Sequence, residues 1–372
     1  MPLIERKPPV SEQVHRLLRE RILKQEYAPG QRLPSEEQLA VEMGVSRATL
    51  RTALAALATS CASPSPLQPT PPDTAALSPS PSPSPAPSAT HTALPPTHTA
   101  APTLTATITD TPTPAASPTA TPLPDRIVDE FGVPMVRVPA GQFLMGTEVR
   151  ARNERPEHTV TLDDYYIDQF EVTFASFAEF LNAKGNQFEG NANWVEANDP
   201  DLRIHEVDGV WQVDAGSENY PMVEMTWYGA RAYCEWRGGR LPSEAEWEKA
   251  ARGPDGRTFP WGEEISCEQA NYAGCTYAAM PVDSLPAGAS PYGAYHMAGN
   301  VMEWVSDWYD IEYYANSPAE NPTGPETGDF RLLRGGTWLH AAGNVRTTYR
   351  FPKLPVLTYV TVGFRCARNA FP

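Results

Sequence analysis

Basic residues are scarce in this chain. Its 372 residues include 29 Lys and Arg against 45 Asp and Glu, a formal net charge of −16. The first 60 residues carry 9 basic and 7 acidic side chains, so the whole deficit lies after Ser60. Because phosphate groups are bound mainly by Lys and Arg, this acidic part is not expected to bind nucleic acid or an anionic membrane. Any contact with nucleic acid is expected from residues 1–60.

Long hydrophobic runs are also missing. No stretch approaches the ~20 apolar residues that a membrane-spanning helix needs, so we expect a cytoplasmic protein without a membrane span. The alternative is a surface lipoprotein anchored at Cys61, which follows the short apolar run ALAALA. That run is shorter than the ~7–15 apolar residues of a signal peptide and lies far from the start of the chain. The alternative therefore requires translation to begin at Met43.

Cysteine is rare, with 5 residues in the chain. The sequence has no CxxC pair and no Cys/His spacing typical of zinc sites, which excludes the usual structural zinc motifs. Cys267 and Cys275 bracket a short loop and can form a disulfide. Reduced, packed thiols are the alternative, and a cytosolic location favours them.

Residues 61–124 are rich in Ser, Thr and Ala and contain 18 of the 40 prolines, with Asp73 and Asp110 as the charged residues. Such a segment has no apolar periodicity and cannot bury a core, so it is predicted to be an extended, disordered linker. The predicted organisation is an N-terminal domain at residues 1–60, this linker at 61–124, and a C-terminal domain at 125–372.

The N-terminal segment has the pattern of three helices. Its first helix, residues 11–25, has apolar residues at helical spacing: Val14, Leu17, Leu18 and Ile22. A capping box at residues 35–38 opens a second helix to about Glu42, and Ser46 caps a third that continues to about Ala58. The run PGQRLPSEEQLAVEMGVSRATLRTAL, residues 29–54, resembles the GntR-type winged helix-turn-helix of transcription regulators.

That resemblance implies that duplex DNA is a partner. Its DNA-binding residues would be Ser46, Arg47, Thr49 and Arg51, near the N-terminus of the helix that enters the major groove. Arg47 and Arg51 are four residues apart and share one helix face. Two departures predict low affinity: Glu37 stands where relatives often carry a basic residue, and no β-hairpin wing follows the third helix. An ordinary solvated basic helix is the alternative.

The C-terminal domain is rich in aromatic residues, and its segments are short and interrupted by Gly and Pro. This composition predicts a mixed α+β fold with little regular structure. Helices are predicted at residues 173–184, 226–237 and 243–252, the last opened by the capping box Ser243-Glu-Ala-Glu246. Trp247 and the other tryptophans of this part are predicted to lie in the core.

Seven motifs follow one another in this domain: VPAGQFLMG at 138–146, RLPSEAEWEKAAR at 240–252, FPWG at 259–262, AGNVMEW at 298–304, and RGGTW, GNVRTTYR and GFRCAR within 334–368. Together they resemble the formylglycine-generating-enzyme/sulfatase-modifying family over about residues 125–372. The resemblance implies that family's variant of the C-type lectin fold. It also implies a disulfide between Cys234 and Cys366.

The oxidase members of that family use a pair of cysteines placed a few residues after the GG-[ST]-[WY] turn. A thiolate is needed there because soft sulfur selects Cu(I). In this chain those positions fall at about His340 and Val345, and residues 339–351 contain no cysteine. The chain is therefore predicted not to be an enzyme. A formylglycine-generating-type oxidase is the disfavoured alternative.

Family members often bind calcium, so the resemblance implies calcium as the one cofactor to consider. The candidate ligands are Asn271, Tyr272, Met297, Gly299, Val301 and Glu303. Calcium takes several oxygen ligands, usually with carboxylates among them. His296 stands where relatives have Asn or Asp, and residues 276–280 lack an acidic residue, so each site loses one oxygen-bearing side chain. The favoured alternative makes Glu303 a buried carboxylate that ties loops together.

The residues between the C-terminal motifs depart from the family toward large apolar side chains. Because the motifs stay while these positions change together, the pattern resembles the variable proteins of diversity-generating retroelements. It implies a non-catalytic binding surface for a macromolecular ligand, in the first place a protein. Two prolines interrupt the run of residues 354–362, which favours this exposed surface over the alternative, an inner strand. We name this surface the C-terminal face; its residues are Trp338, Leu339, His340, Tyr349, Phe351, Lys353, Leu354, Val356, Leu357, Tyr359 and Thr361.

Overall fold

The structure, a computed structural model, describes residues 123–199, 201–276 and 278–371. In the N-terminal part it describes a further set: Val14, Leu17, Leu18, Leu39, Ala40, Met43, Val45, Thr49, Leu50, Arg51 and Leu54. The predicted linker lies outside the described residues, apart from its last two positions. So do Cys61 and two of the DNA-binding candidates, Ser46 and Arg47.

The described N-terminal residues are helical apart from Val45. Their buried apolar cluster consists of Val14, Leu18, Leu39, Ala40, Met43, Val45 and Leu50. Leu17 was expected on the same apolar face, but its side chain is 46% exposed. Val14 and Leu18 are four residues apart and share one side of the helix, whereas Leu17 is rotated by about 100° from Leu18. The prediction of helices is confirmed for the described N-terminal residues other than Val45, and Leu17 is the predicted core residue that lies outside the core.

Two four-stranded sheets organise the C-terminal domain, in the orders β1-β2-β5-β14 and β12-β11-β10-β13. Three two-stranded sheets, β3-β4, β6-β7 and β8-β9, complete the strand pairing among the described residues. The strands are β1 Arg126–Val128, β2 Pro134–Val138, β3 Gly141–Met145, β4 His158–Leu162, β5 Tyr165–Asp168, β6 Phe188–Glu189, β7 Ala192–Asn193, β8 Ile204–Val207, β9 Val210–Val213, β10 Met302–Trp308, β11 Arg331–Arg334, β12 Phe351–Lys353, β13 Val362–Phe364 and β14 Ala367–Asn369.

All three predicted helices of this domain are present. They are α1 Phe174–Lys184, α2 Trp227–Trp236 and α3 Glu244–Arg252, and a short α4, Tyr313–Asn316, follows. The side chain of Thr173 caps α1, that of Thr226 caps α2, and Ser243 caps α3 in a complete capping box. A side-chain oxygen at this position satisfies an amide that the helix leaves unpaired, which explains why each helix begins where the sequence predicts.

The last two strands of the chain are edge strands, one in each four-stranded sheet. β13 pairs in parallel with β10, and β14 pairs antiparallel with β5, about 200 residues earlier in the chain. Between the sheets and helices lie two apolar cores, and Trp247 and Trp304 are fully buried in them, as predicted for the tryptophans. The segment that carries the C-terminal face is therefore fixed at its end by strands on each side of the domain.

Candidate binding face

The C-terminal face begins at a turn of two glycines. Gly335 and Gly336 have φ angles of 91° and 73°, a region that favours glycine. A Cβ atom on Gly336 would lie 2.3 Å from the carbonyl oxygen of Asn344, so the close approach of the two segments also requires glycine. The turn is tied to its neighbours because Trp338 donates its amide to the carbonyl of Asn300 at 2.9 Å.

Buried arginines fix the backbone on which the face is displayed. Arg346 donates to both oxygens of Glu154, at 2.6 and 2.8 Å, and Arg350 donates to both oxygens of Glu244, at 2.7 and 2.9 Å. Arg334 donates to the carbonyl of Thr347 at 2.6 Å. Paired, charge-assisted hydrogen bonds of this kind are directional. They hold residues 346–350 in one conformation against α3 and the turn at residues 152–154, between β3 and β4.

On this frame most side chains of the face are half-buried. Tyr349 and Phe351 stack with their ring centroids 6.0 Å apart, and the Lys353 ammonium lies 4.8 Å from the centre of the Phe351 ring. Leu339 lies beyond the glycine turn, and Leu354 directly after β12. Half-buried residues in this part of the face are Trp338, Leu339, His340, Tyr349, Phe351, Lys353, Leu354, Val356 and Leu357.

His340 lies between the two parts of the face. Its ring contacts those of Tyr349 and Phe351 at centroid distances of 5.9 and 6.0 Å. Burial, and then the neighbouring Lys353, lowers the pKa of His340 to about 4, so the imidazole is neutral near pH 7. Its Nδ1 has no hydrogen-bond partner. Beneath it is a cavity of ≈ 20 Å³, which has room for about one water molecule.

Two predicted residues of the face are not displayed. Tyr359 is 4% exposed and Thr361 is 8% exposed, and both line the cavity beneath His340. The prediction of exposure is wrong for these two because the chain turns inward toward β13 before the strand begins. Leu357 packs against the buried cluster of the N-terminal segment. The inner-strand alternative is also wrong for most of the run, since the strand begins only at Val362.

Comparison with known families follows the same division of the chain. Residues 128–370 match the family model described as sulfatase-modifying factor enzyme 1-like domain. The chain belongs to the sulfatase-modifying factor family. Residues 10–60 match a second model, that of bacterial regulatory proteins of the gntR family. Both resemblances seen in the sequence are confirmed, as is the α+β fold class.

Relatives in this family carry different names. The chain is 39% identical over 238 residues to "Serine/threonine-protein kinase pkn1" of Chlamydia caviae, a match that covers 63% of this chain and 38% of that protein. It is 36% identical over 282 residues to the formylglycine-generating enzyme of Streptomyces coelicolor, covering 63% of this chain and 89% of that one. The chain thus spans about two fifths of the length of the chlamydial relatives.

Two solved structures show the fold. PvdO from Pseudomonas aeruginosa superposes with a TM-score of 0.55 at 26% identity, covering 67% of this chain and all of that one. Treponema denticola variable protein 1 superposes with a TM-score of 0.51 at 22% identity, covering 66% of this chain and 99% of that one. The second likeness concerns the fold alone.

The thiol chemistry of the family's oxidases has no counterpart at the face. Cys234 forms a disulfide with Cys366, and Cys267 forms one with Cys275, so all cysteines of the described residues are paired. Cys234 and Cys366 are also buried in the core, at 0% and 1% exposure. Of the two positions compared with the oxidases' cysteine pair, His340 is a neutral imidazole at the face, and Val345 is buried beneath the surface.

The side chains proposed as calcium ligands are engaged with protein groups. Both oxygens of Glu303 accept hydrogen bonds from Arg365, and Trp247 donates to one of them at 2.8 Å. The side-chain oxygen of Asn271 accepts the Thr276 hydroxyl at 2.6 Å. Glu303 and Asn271, the two candidates with side-chain oxygens that calcium favours, therefore already use those oxygens in contacts with described protein groups. Calcium bound by Asn271, Tyr272, Met297, Gly299, Val301 and Glu303 stays a prediction without support from these contacts.

Two of the four DNA-binding candidates can be placed. Thr49 and Arg51 are helical, and Arg51 is exposed while Thr49 is half-buried. Ser46 and Arg47 lie outside the described residues. Among the described residues, no helix combines the length and apolar composition that crossing a membrane requires.

The acidic partners of the arginines beneath the face could not be predicted from the sequence. Glu154 and Glu244 hold Arg346 and Arg350, yet they lie 192 and 106 residues away along the chain. No periodic spacing marks such a pair. A weak signal existed in the motif RLPSEAEWEKAAR, whose Glu244 and Glu248 are four apart on one helix and are both buried.

Proposed function

We propose that this protein is a non-catalytic recognition protein that binds a macromolecular ligand, most simply another protein, through the C-terminal face. The supporting observation is the contrast between a rigidly held backbone and the apolar side chains that remain partly accessible on it. Buried ion pairs fix the backbone of residues 346–350. The side chains of the face beside it are half-buried and so partly accessible, among them Trp338, Leu339, Tyr349 and Phe351. Aromatic and long apolar side chains on a rigid support are the usual hot spots of protein interfaces.

The absence of thiols at the face supports a binding role over an enzymatic one. The oxidase chemistry of the family needs a reactive thiolate, and the described cysteines are consumed in disulfides. His340 alone offers no metal site, because a single imidazole without neighbouring ligands holds a transition metal weakly. Activity, substrates and partners of the kinase-named relatives are not carried over, since the chain spans about two fifths of their length.

We further propose that the face is diversified between related strains, as in retroelement variable proteins. In such proteins many variable codons derive from asparagine codons, so diversification replaces asparagine by other residues. In support, Asn344 is the one asparagine left within residues 339–362. The fold shared with the Treponema variable protein is compatible with this origin. Sequencing the encoding locus across related strains tests it. Changes confined to residues 339–361 are expected, and a uniform sequence there would remove the retroelement origin.

A second proposed function is DNA binding by the N-terminal segment, in the manner of a GntR-type transcription regulator. The match over residues 10–60 and the exposed, helical Arg51 support it. One module without a wing makes few contacts, so binding is expected to be weak as a monomer and useful as a dimer. A mobility-shift titration compares the full chain with an Arg47→Ala, Arg51→Ala variant. Loss of the shift supports this function, and equal shifts would rule out the assigned helix.

The two functions point to different locations. DNA binding requires the cytoplasm, which is the location we propose for that function. The two disulfides are typical of an oxidising compartment, and they favour the alternative, a surface lipoprotein anchored at Cys61 and translated from Met43. Fractionation of the source cells separates the two, because a lipoprotein partitions with the membrane.

A further inference from the structure

Three carboxylates meet behind the C-terminal face, outside the set of residues considered above. Asp199 and Asp201 lie in the loop between β7 and β8, and Glu224 lies just before α2. One oxygen from each lies within 4.8 Å of the others. The amide of Asp201 donates to the Asp199 side chain at 2.8 Å, which sets the two aspartates side by side. Asp199 and Glu224 are buried, at 7% and 3% exposure.

Glu224 has an unusual environment for a carboxylate. Its Oε2 is shielded from solvent and has no hydrogen-bond partner. Native proteins rarely leave a buried acceptor without a donor or an ion. That oxygen belongs to the carboxylate that meets the two aspartates, so a cation bound by the cluster would lie next to it.

The chemistry of the cluster selects among cations. Its ligand atoms are all carboxylate oxygens, which suit hard cations such as Ca²⁺ and Mg²⁺ rather than soft transition metals. Oxygens on opposite sides of a Ca²⁺ ion are about 4.6–5.2 Å apart, and around Mg²⁺ they are about 4.0–4.2 Å apart. A spread within 4.8 Å accommodates Ca²⁺, whose flexible coordination does not require the near-ideal octahedron that Mg²⁺ demands. Backbone carbonyls and water can supply the remaining ligands that Ca²⁺ requires.

We propose that Asp199, Asp201 and Glu224 form a calcium-binding site. It is distinct from the turn of Asn271 and Glu303, and its existence does not depend on the function proposed for the face. Its position gives it a consequence for the face. Glu224 donates its amide to the carbonyl of Tyr359 at 3.1 Å, and Trp227 donates to the carbonyl of Pro355 at 3.0 Å. A cation on Glu224 would therefore hold the loop that returns from the face to β13.

Isothermal titration of the full chain with CaCl₂, after removal of metals by chelator, tests the site. The wild type is expected to bind one calcium ion and to unfold at a higher temperature when calcium is present. Glu224→Gln and Asp201→Asn keep the side-chain shape and remove one charge each. Both are expected to weaken calcium binding roughly tenfold or more and to lose the thermal shift. Glu206→Gln, on the exposed side of β8, is the matched control and should bind as the wild type does.

The outcomes separate cleanly. Absence of calcium binding by the wild type at millimolar concentration would overturn the proposal. So would binding that is unchanged in Glu224→Gln and Asp201→Asn, because the ion would then lie elsewhere, for example at Asn271. Equal affinity for MgCl₂ would contradict the choice of calcium. If Glu224→Gln fails to fold without calcium, Asp201→Asn decides, because Asp201 is half-buried at the edge of the cluster.

Discussion

Arg365 and Glu303 form a fully buried, two-pronged ion pair at the centre of the domain. Nε of Arg365 donates to one oxygen of Glu303 and Nη2 donates to the other, each at 2.7 Å. Both side chains are 0% exposed. The pair joins the segment after β13 to β10, so the motif GFRCAR and the motif AGNVMEW meet through it. Glu303 is therefore a buried carboxylate that ties two segments together, the role that the sequence analysis favoured over a calcium ligand.

Arg365→Ala is expected to lower the free energy of unfolding by about 3–5 kcal/mol, because it leaves the Glu303 carboxylate buried and without its cation. Denaturant unfolding followed by circular dichroism measures the loss. Arg152→Ala is the control, since Arg152 pairs with Glu312 at the exposed surface. That change should cost less than about 1 kcal/mol. Similar losses in the two variants would contradict the importance assigned to the buried pair.

Asp307 gives a prediction about pH. Burial, and then the nearby Glu244, raises the pKa of Asp307 to about 7. Between its ordinary value of about 3.9 and about 7, the folded state holds a proton that the unfolded state releases, so stability falls as pH rises. Asp307→Asn keeps an oxygen for the amide of Glu244 and the Ser306 hydroxyl, which donate to it at 2.8 and 2.9 Å.

The Asp307→Asn variant is therefore expected to lose the part of the pH dependence of stability that comes from the proton on Asp307. Relative to wild type, Asp307→Asn should gain on the order of 4 kcal/mol in unfolding free energy between pH 4 and pH 8. Unfolding curves at several pH values measure it. Asp310→Asn, which alters an exposed carboxylate, should leave the pH profile unchanged. A parallel pair of profiles for wild type and Asp307→Asn would show that Asp307 is ionised throughout.

The chain is expected to lack formylglycine-generating activity, because the chemistry requires a thiolate pair and residues 339–351 contain no cysteine. Incubation of the purified protein with copper and a cysteine-containing sulfatase peptide, followed by aldehyde detection, is the direct assay. A reaction without protein gives the background. Aldehyde above that background would overturn the prediction and make His340 the first residue to replace.

Contacts between residues close together in the sequence could be predicted, and contacts between distant residues could not. Ser243 marked the start of α3 in the sequence because a capping side chain acts on amides two or three residues away. The pairing of Arg346 with Glu154 and the meeting of Asp201 with Glu224 leave no such mark, since the chain brings distant segments together. The family motifs bridged part of that distance by identifying the fold.

The exposure of individual residues of the C-terminal face could not be predicted from the sequence either. The composition of this segment predicted a surface with large apolar groups, but it could not separate Phe351, which is half-buried, from Tyr359, which is buried. Both are aromatic and lie within ten residues of each other. Only the path of the loop toward β13 decides which one points outward.

The most direct test of the central claim is the affinity of the face for its ligand. A partner captured from source cells by the wild type is purified, and its dissociation constant is then measured with variants that unfold at the wild-type temperature. Phe351→Ala and Leu339→Ala are expected to weaken binding roughly 30-fold or more, the effect of a hot spot worth about 2 kcal/mol. Phe188→Ala and Val149→Ala alter apolar side chains exposed elsewhere and should leave it unchanged. Unchanged affinity in the first pair would contradict recognition by the C-terminal face.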